Sequence, residues 1–476
     1  MVTLELEDIQ GYIIRGYARM SYSRFVLLHV PREHHDAHRW IASIADGITT
    51  AAHISKKQDI PPTCLNIALT AVGLKALGLQ KENVDSFNLE FREGMVTPHR
   101  KRLLGDFDDS DPSKWDWGST EKQAVHIILM IFGKDKDTCL EYFDKLRSDY
   151  ISNGLQEVLQ LDGQTLPKNK EHFGFRDGIS QPVIIGSGRI GPDNNMIKAG
   201  EFILGYENEY GVFPDTPLVR KEQGNMNLLS SDAGGSGYKD LGRNGSFLVL
   251  RQMEQDVEAF WDFMNEKTKN PDGSVNVDES AKLAAKMMGR WPSGAPITKY
   301  PDKDPGVLSD DDDFGYHQND PDGLKCPHGS HLRRCNPRDS FEDNSAKESL
   351  ELSNRHRIIR RARLYGQPYV GSPLDRKPEG KVGLLFNCFN ADISRQFELI
   401  QYTWANSTKV KQLYNDPDPI IGTRQSAHDG LPQNFTIQAC PVNKTVTGLK
   451  RFVTIKGGGY FFFPSITAIR YLATLK

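Results

Sequence analysis

The chain predicts an α+β fold made of two ferredoxin-like halves, each an antiparallel sheet covered by helices on one face. Three observations point there. Apolar strand-like runs are followed, at successive places, by helical patterns with apolar residues at i, i+3, i+4 and i+7. These units fall two to each half, with long non-periodic stretches between them. No Gly-x-Gly-x-x-Gly follows a strand, which disfavours the competing doubly wound parallel sheet.

The first unit is Phe25 to Val30, then a helix turning Ala37, Trp40, Ile41 and Ile44 inward. The second is Val125 to Phe132, then Cys139, Tyr142, Phe143 and Leu146. Phe247 to Leu250 opens the third, before Val257, Phe260, Trp261 and Met264, and a looser fourth runs from Leu384–Phe386 into Ile393, Phe397 and Ile400. The polar, glycine-rich stretch from Glu222 to Asn244 is the expected junction, giving an N-terminal domain over 1–230 and a C-terminal domain over 231–476. Asp302 to Gly323 carries Asp310, Asp311, Asp312 and Asp313 without EF-hand spacing and reads as a solvated acidic insertion.

Lys and Arg total 59 against 62 Asp and Glu, so no basic excess favours nucleic acid. The first residues, Met1 to Asp8, show no basic region followed by an apolar run, so the expectation is neither a secretory signal nor a membrane helix, and a cytoplasmic address by default. Six cysteines without framework spacing read as reduced thiols, Cys139 and Cys388 as packing residues.

Four segments carry candidate chemistry. In Phe173 to Pro182, glycines flank Asp177 and permit positive φ, while apolar neighbours draw its carboxylate out of bulk water; Asp-Gly is equally a common turn dipeptide. Cys326 to Cys335 gathers Cys326, His328, His331 and Cys335, a set that a zinc-stabilised interaction module would use, although the intervals are tighter than ordinary zinc modules have. Asn354 to Gly366 is strongly basic and includes Arg360 and Arg361. In Gly383 to Ile393, Leu384 and Phe386 share one strand face, and Asp392 stands where a helix N-cap is expected.

Taken together these segments resemble the dye-decolourising peroxidases, and agreement extends to Asp8–Gly11, Gly289–Pro296 and Phe452–Pro464. The length and the acidic insertion are similar to those of the longer subgroup found in fungi and some bacteria. The resemblance implies that Asp177, in a Gly-x-x-Asp-Gly motif, exchanges a proton with hydrogen peroxide, with Ile179 and Ser180 beside the haem. It implies His331, at the end of a Cys-Pro-x-x-x-His run, as the iron ligand, although His328 stands where the family usually has an apolar residue. It further implies Arg333 as a partner of the haem propionates, Arg360 as the charge-stabilising arginine, Leu384 and Phe386 as pocket walls, and Asp392 as acceptor of the second ring N–H of His331.

The expected cofactor is haem b, held mainly by the C-terminal half and not covalently, since no Cys-x-x-Cys-His is present. Expected partners are peroxide and dye or phenolic electron donors, with no nucleic acid or membrane and a homo-oligomer left open. Trp404 and Tyr365 are candidates for relaying electrons from bulky donors, and ordinary packing explains them as well. The alternatives are a non-catalytic haem carrier or iron-handling protein on the same fold, and the zinc module.

Overall fold

The structure is a computed structural model that describes residues 3–31, 36–53, 61–120, 122–341, 345–411, 413–423 and 433–475. In the first half, strands β1 (Tyr22–His29), β2 (Thr63–Leu69), β3 (Ile127–Gly133) and β4 (Gln156–Gln164) alternate with helices α1 (Asp36–Ile44) and α2 (Lys136–Ser152). Helix α2 starts where Asp135 accepts the Thr138 N–H, and α1 buries Ala37, Trp40, Ile41 and Ile44, the face its spacing predicts. The strands lie in the order β4-β1-β3-β2, all antiparallel. That is the ferredoxin-like arrangement.

The second half repeats it. Strand β5 (Ser246–Gln255) leads into helices α3 (Val257–Thr268) and α4 (Val277–Met288); the short α5 (His331–Cys335) follows, then β6 (Ile359–Arg360), β7 (Arg363–Tyr365), β8 (Gly383–Asn390) and β9 (Val453–Phe463). Asp256 caps α3 by accepting the Ala259 N–H. Between β8 and β9 the chain winds as π-helix over Ser394–Glu398 and Ile400–Ala405, a form that recurs at functional sites. The order is β9-β5-β8-β7, with β6 continuing the line of β7 along β8.

The two sheets do not remain separate. Leu364 of β7 pairs with Gln164 of β4, and Phe462 of β9 with Leu69 of β2, so both pairs of edges meet and the strands close into one barrel. Alternate residues of the strands, among them Phe25, Phe132, Leu250, Leu385, Phe389 and Phe461, fill the inside. Residues of the opposite faces, such as Val26, Leu129 and Val249, pack beneath the helices outside. Burying each such side chain stabilises the fold by about 1.5–3 kcal/mol. Closure also removes the exposed strand edges that open sheets must protect.

Within Glu222–Asn244, Leu229 and Leu241 are buried in the main core. One expectation changes: the acidic segment is not uniformly solvated. Asp310 and Asp311 pair at the surface with Arg176 and Lys299, but Asp312 is buried among arginines. Among the described residues, no helix is long and apolar enough to cross a membrane.

Candidate active site

A cleft with about 1620 Å³ of atom-free space, open in part to solvent, lies between the outer face of the second half's sheet, the π-helix, α5 and the loop after β4. Asp177, Ile179, Ser180, His331, Arg360, Leu384 and Phe386 all line it. The first half contributes only the loop from Glu171 to Ser180; the other walls belong to the second half.

Backbone chemistry and one buried carboxylate shape that loop. Gly174 has φ +101°, and a Cβ there would lie 2.2 Å from the Gly371 carbonyl oxygen, so only glycine fits. Glu171 accepts the N–H groups of Phe173 (2.9 Å) and Phe175 (2.8 Å) and a hydrogen bond from Gln255 (2.7 Å). Burial, offset in part by these bonds, pushes its carboxyl up to about 7. Ser180, at φ +63°, adopts a conformation unusual for a side-chain-bearing residue. It is held there by its hydrogen bond to Asp312 and by donors from Arg290 and Arg338, each 3.1 Å from its Oγ.

On this wall Asp177 Oδ1 accepts the Gly178 N–H at 2.6 Å and faces Arg360 Nη1 at 3.4 Å. Arg360 ends β6, donates through Nη2 to the Ile179 carbonyl at 2.8 Å, and has its own N–H held by Gln181. The pair can move a proton at Asp177 beside a permanent positive charge.

His331 opens α5. Its Nδ1 lies 2.9 Å from Oδ2 of Asp418, a wholly buried carboxylate whose Oδ1 accepts the N–H groups of Ile420 (2.8 Å) and Ile421 (2.9 Å). Burial lowers the ring's proton affinity, but Asp418 more than offsets it and holds the imidazole well above the ordinary histidine range. With Nδ1 committed, Nε2 is the nitrogen left for the cleft. Asp418 therefore stands where Asp392 was expected. Asp392 instead accepts the Arg395 N–H at 2.9 Å as a helix cap, pairs with the Arg395 side chain, and does not line the cleft. The only sequence signal for Asp418 is a carboxylate followed by Pro419, Ile420 and Ile421.

Arg333 is also turned elsewhere. Two residues beyond His331, it projects from the far side of α5, where it is 2% exposed, bonds Asp320 at 3.0 Å and lies over the Tyr316 ring. Arg357, in contrast, lines the cleft, donating to the Ser180 carbonyl (2.9 Å) and Asn195 (3.0 Å) with no carboxylate partner among the described residues. Burial, then the charge of Arg338, pushes it down to about 9. The zinc set does not assemble. Among the described residues His331 meets Cys335 and Asp418, whereas Cys326 is buried beside Asp320 and His328 beside Gly323 and Gln438. Trp404 packs on Phe341 and His356, and Tyr365 ends β7.

A broad apolar cleft with one carboxylate-backed histidine, a carboxylate–guanidinium pair and a buried arginine that forms no ion pair among the described residues suits a planar, anionic, iron-bearing macrocycle. Fold and site together define a haem peroxidase. The family model described as the DyP dimeric alpha+beta barrel domain matches residues 8–167. The dye-decolorizing peroxidase of Mycena epipterygia is 30% identical over 507 aligned positions, covering 99% of this chain and 87% of the relative. The multifunctional dye peroxidase of an Amycolatopsis species is 30% identical, covering 86% of this chain and 82% of its own. The crystal structure of an Anabaena DyP-type peroxidase superposes with a TM-score of 0.77 at 26% identity, covering 98% of this chain and 94% of that one. The chain belongs to the dye-decolourising peroxidase family and is a haem enzyme that reduces peroxide at the expense of electron donors.

Proposed function

We propose that the cleft holds haem b without covalent attachment, with His331 Nε2 as the iron ligand and Arg357 meeting a propionate. The haem, when bound, supplies the redox chemistry. Asp177 would take a proton from one oxygen of hydrogen peroxide and return it to the other, which would leave as water. Arg360 steadies the negative charge that develops as the O–O bond breaks. Asp418 keeps the His331 ring oriented and electron-rich. Leu384, Phe386 and Ile179 exclude water from the exchange. Two donor molecules each give up one electron and one proton, so that H2O2 and two AH become two H2O and two A radicals.

The observation that carries this reading is the 3.4 Å approach of Arg360 to Asp177 in the same cleft as the Asp418-backed His331. A passive haem carrier has no use for that pair. One neighbouring structure, at TM-score 0.78 and 26% identity, is a dye-decolorizing peroxidase in complex with 2,6-dimethoxyphenol, and the Mycena relative is named for dyes. Phenols and dyes are accordingly the proposed donors. The test loads purified protein with haem and follows peroxide-dependent oxidation of 2,6-dimethoxyphenol. Turnover in the parent, retained haem without turnover in Asp177→Asn, and lost iron ligation in His331→Ala are expected; full turnover in both variants overturns the roles.

A further inference from the structure

His331 and Cys335 stand at i and i+4 of α5, so one helical turn stacks them on the same side of that element, and both line the haem cleft. Cys335 is half-buried. Its Sγ lies 3.6 Å from His331 Nδ1 and 3.8 Å from Asp418 Oδ2, the oxygen that receives the histidine proton. Sulfur's larger radius makes its hydrogen bonds longer and weaker than those of a hydroxyl.

The ring proton sets the direction of the thiol bond. It points at Oδ2 across 2.9 Å, and a protonated ring nitrogen has no lone pair with which to accept. The S–H therefore donates to Oδ2, and histidine and cysteine share one carboxylate oxygen. Asp418 is not free to rotate away from this arrangement, because its Oδ1 is held by the N–H groups of Ile420 and Ile421. Each hydrogen bond to a carboxylate stabilises its charge and lowers its pull on any other proton. The thiol thus weakens the grip of Asp418 on the histidine proton, and the imidazole keeps less negative charge than Asp418 would otherwise give it.

We infer that Cys335 is a positioning residue for the peroxidase reaction: by sharing Asp418 Oδ2 with His331 it limits how far the carboxylate draws off the ring proton, and so sets a higher ferric/ferrous potential for iron held at Nε2. This deepens the haem-peroxidase reading and rests on it.

Cys335→Ala and Cys335→Ser remove similar volume and differ by one hydroxyl donor, so a cavity or an entering water affects both alike. In haem-loaded protein, Cys335→Ala should shift the ferric/ferrous equilibrium about three-fold toward ferric iron, which is about 28 mV at about 59 mV per tenfold for one electron. The iron–histidine stretching band of the ferrous form should rise in resonance Raman spectra, and Cys335→Ser should return both readings most of the way to the parent. The ring proton reports without haem: in the haem-free chain carrying 15N-labelled histidine, the Nδ1–H signal that His331→Ala abolishes should move downfield in Cys335→Ala. Cys335→Val, which fills the space and offers no donor, replaces the alanine variant if that one does not fold. Equal shifts in the apolar and serine variants, or parent-like potential and ring-proton signal in both, overturn the inference. A parent that retains no haem, or whose iron ligation survives His331→Ala, sinks the haem reading instead, and the ring-proton shift then still decides whether Cys335 shares Asp418.

Discussion

Asp418 accepts the Nδ1 proton of His331 at 2.9 Å across 87 residues of chain, and its other oxygen is pinned by two backbone N–H groups. The carboxylate is thus fixed in place before any cofactor arrives. A histidine backed in this way is more electron-donating than one hydrogen-bonded to a carbonyl.

Removing that charge in Asp418→Asn should raise the ferric/ferrous potential of haem-loaded protein and cut turnover by about 10–100-fold. Spectroelectrochemistry reads the first and steady-state kinetics the second. Asp392→Ala serves as the control: loss of a helix cap costs about 1 kcal/mol in stability and leaves the potential alone.

Asp177→Asn should retain the haem spectrum yet lose about 10²–10⁴-fold in peroxide reactivity. Arg360→Leu should lose about 10²–10³-fold, because the hydrogen bond to the Ile179 carbonyl and the charge beside Asp177 disappear together. Stopped-flow mixing with peroxide measures both, and parent-like rates in either variant would contradict the assigned roles.

Arg333 and Arg357 should separate stability from haem binding. Arg333→Ala leaves Asp320 buried and unpaired, a loss of about 3–5 kcal/mol visible in denaturant unfolding, with haem affinity of the folded fraction unchanged. Arg357→Ala should do the reverse, weakening haem retention with little change in unfolding midpoint of the apoprotein.

Glu171 supplies a pH signature. Its carboxyl is raised from 4.5 to about 7, so between those values the folded state holds a proton that the unfolded state has released. Stability should therefore be highest below about pH 4.5 with respect to this group and fall by about 3 kcal/mol as pH rises through 7. Glu171→Gln should flatten that part of the stability profile; an unchanged slope would mean the carboxyl titrates normally.

Periodicity in the chain made the strand–helix units and their buried faces legible: Trp40, Phe143, Phe260 and Phe397 are inward, as their spacing requires. The resemblance to the family singled out Asp177, His331 and Arg360, and all three line one cleft. Arg333 and Asp392 were misplaced for local reasons. Proximity along the chain hides that i and i+2 diverge on a helix, and that a carboxylate at a helix start is consumed by the N–H groups beneath it.

By itself, then, the order of residues determined the α+β units and the family likeness, since both depend on patterns a few residues long. Tertiary structure alone decided the closing of two sheets into one barrel, the burial of Asp312 among arginines, and the placing of Asp418 rather than Asp392 beside His331. Those features join groups distant in sequence, and their energies come from desolvation and charge pairing that no local pattern encodes.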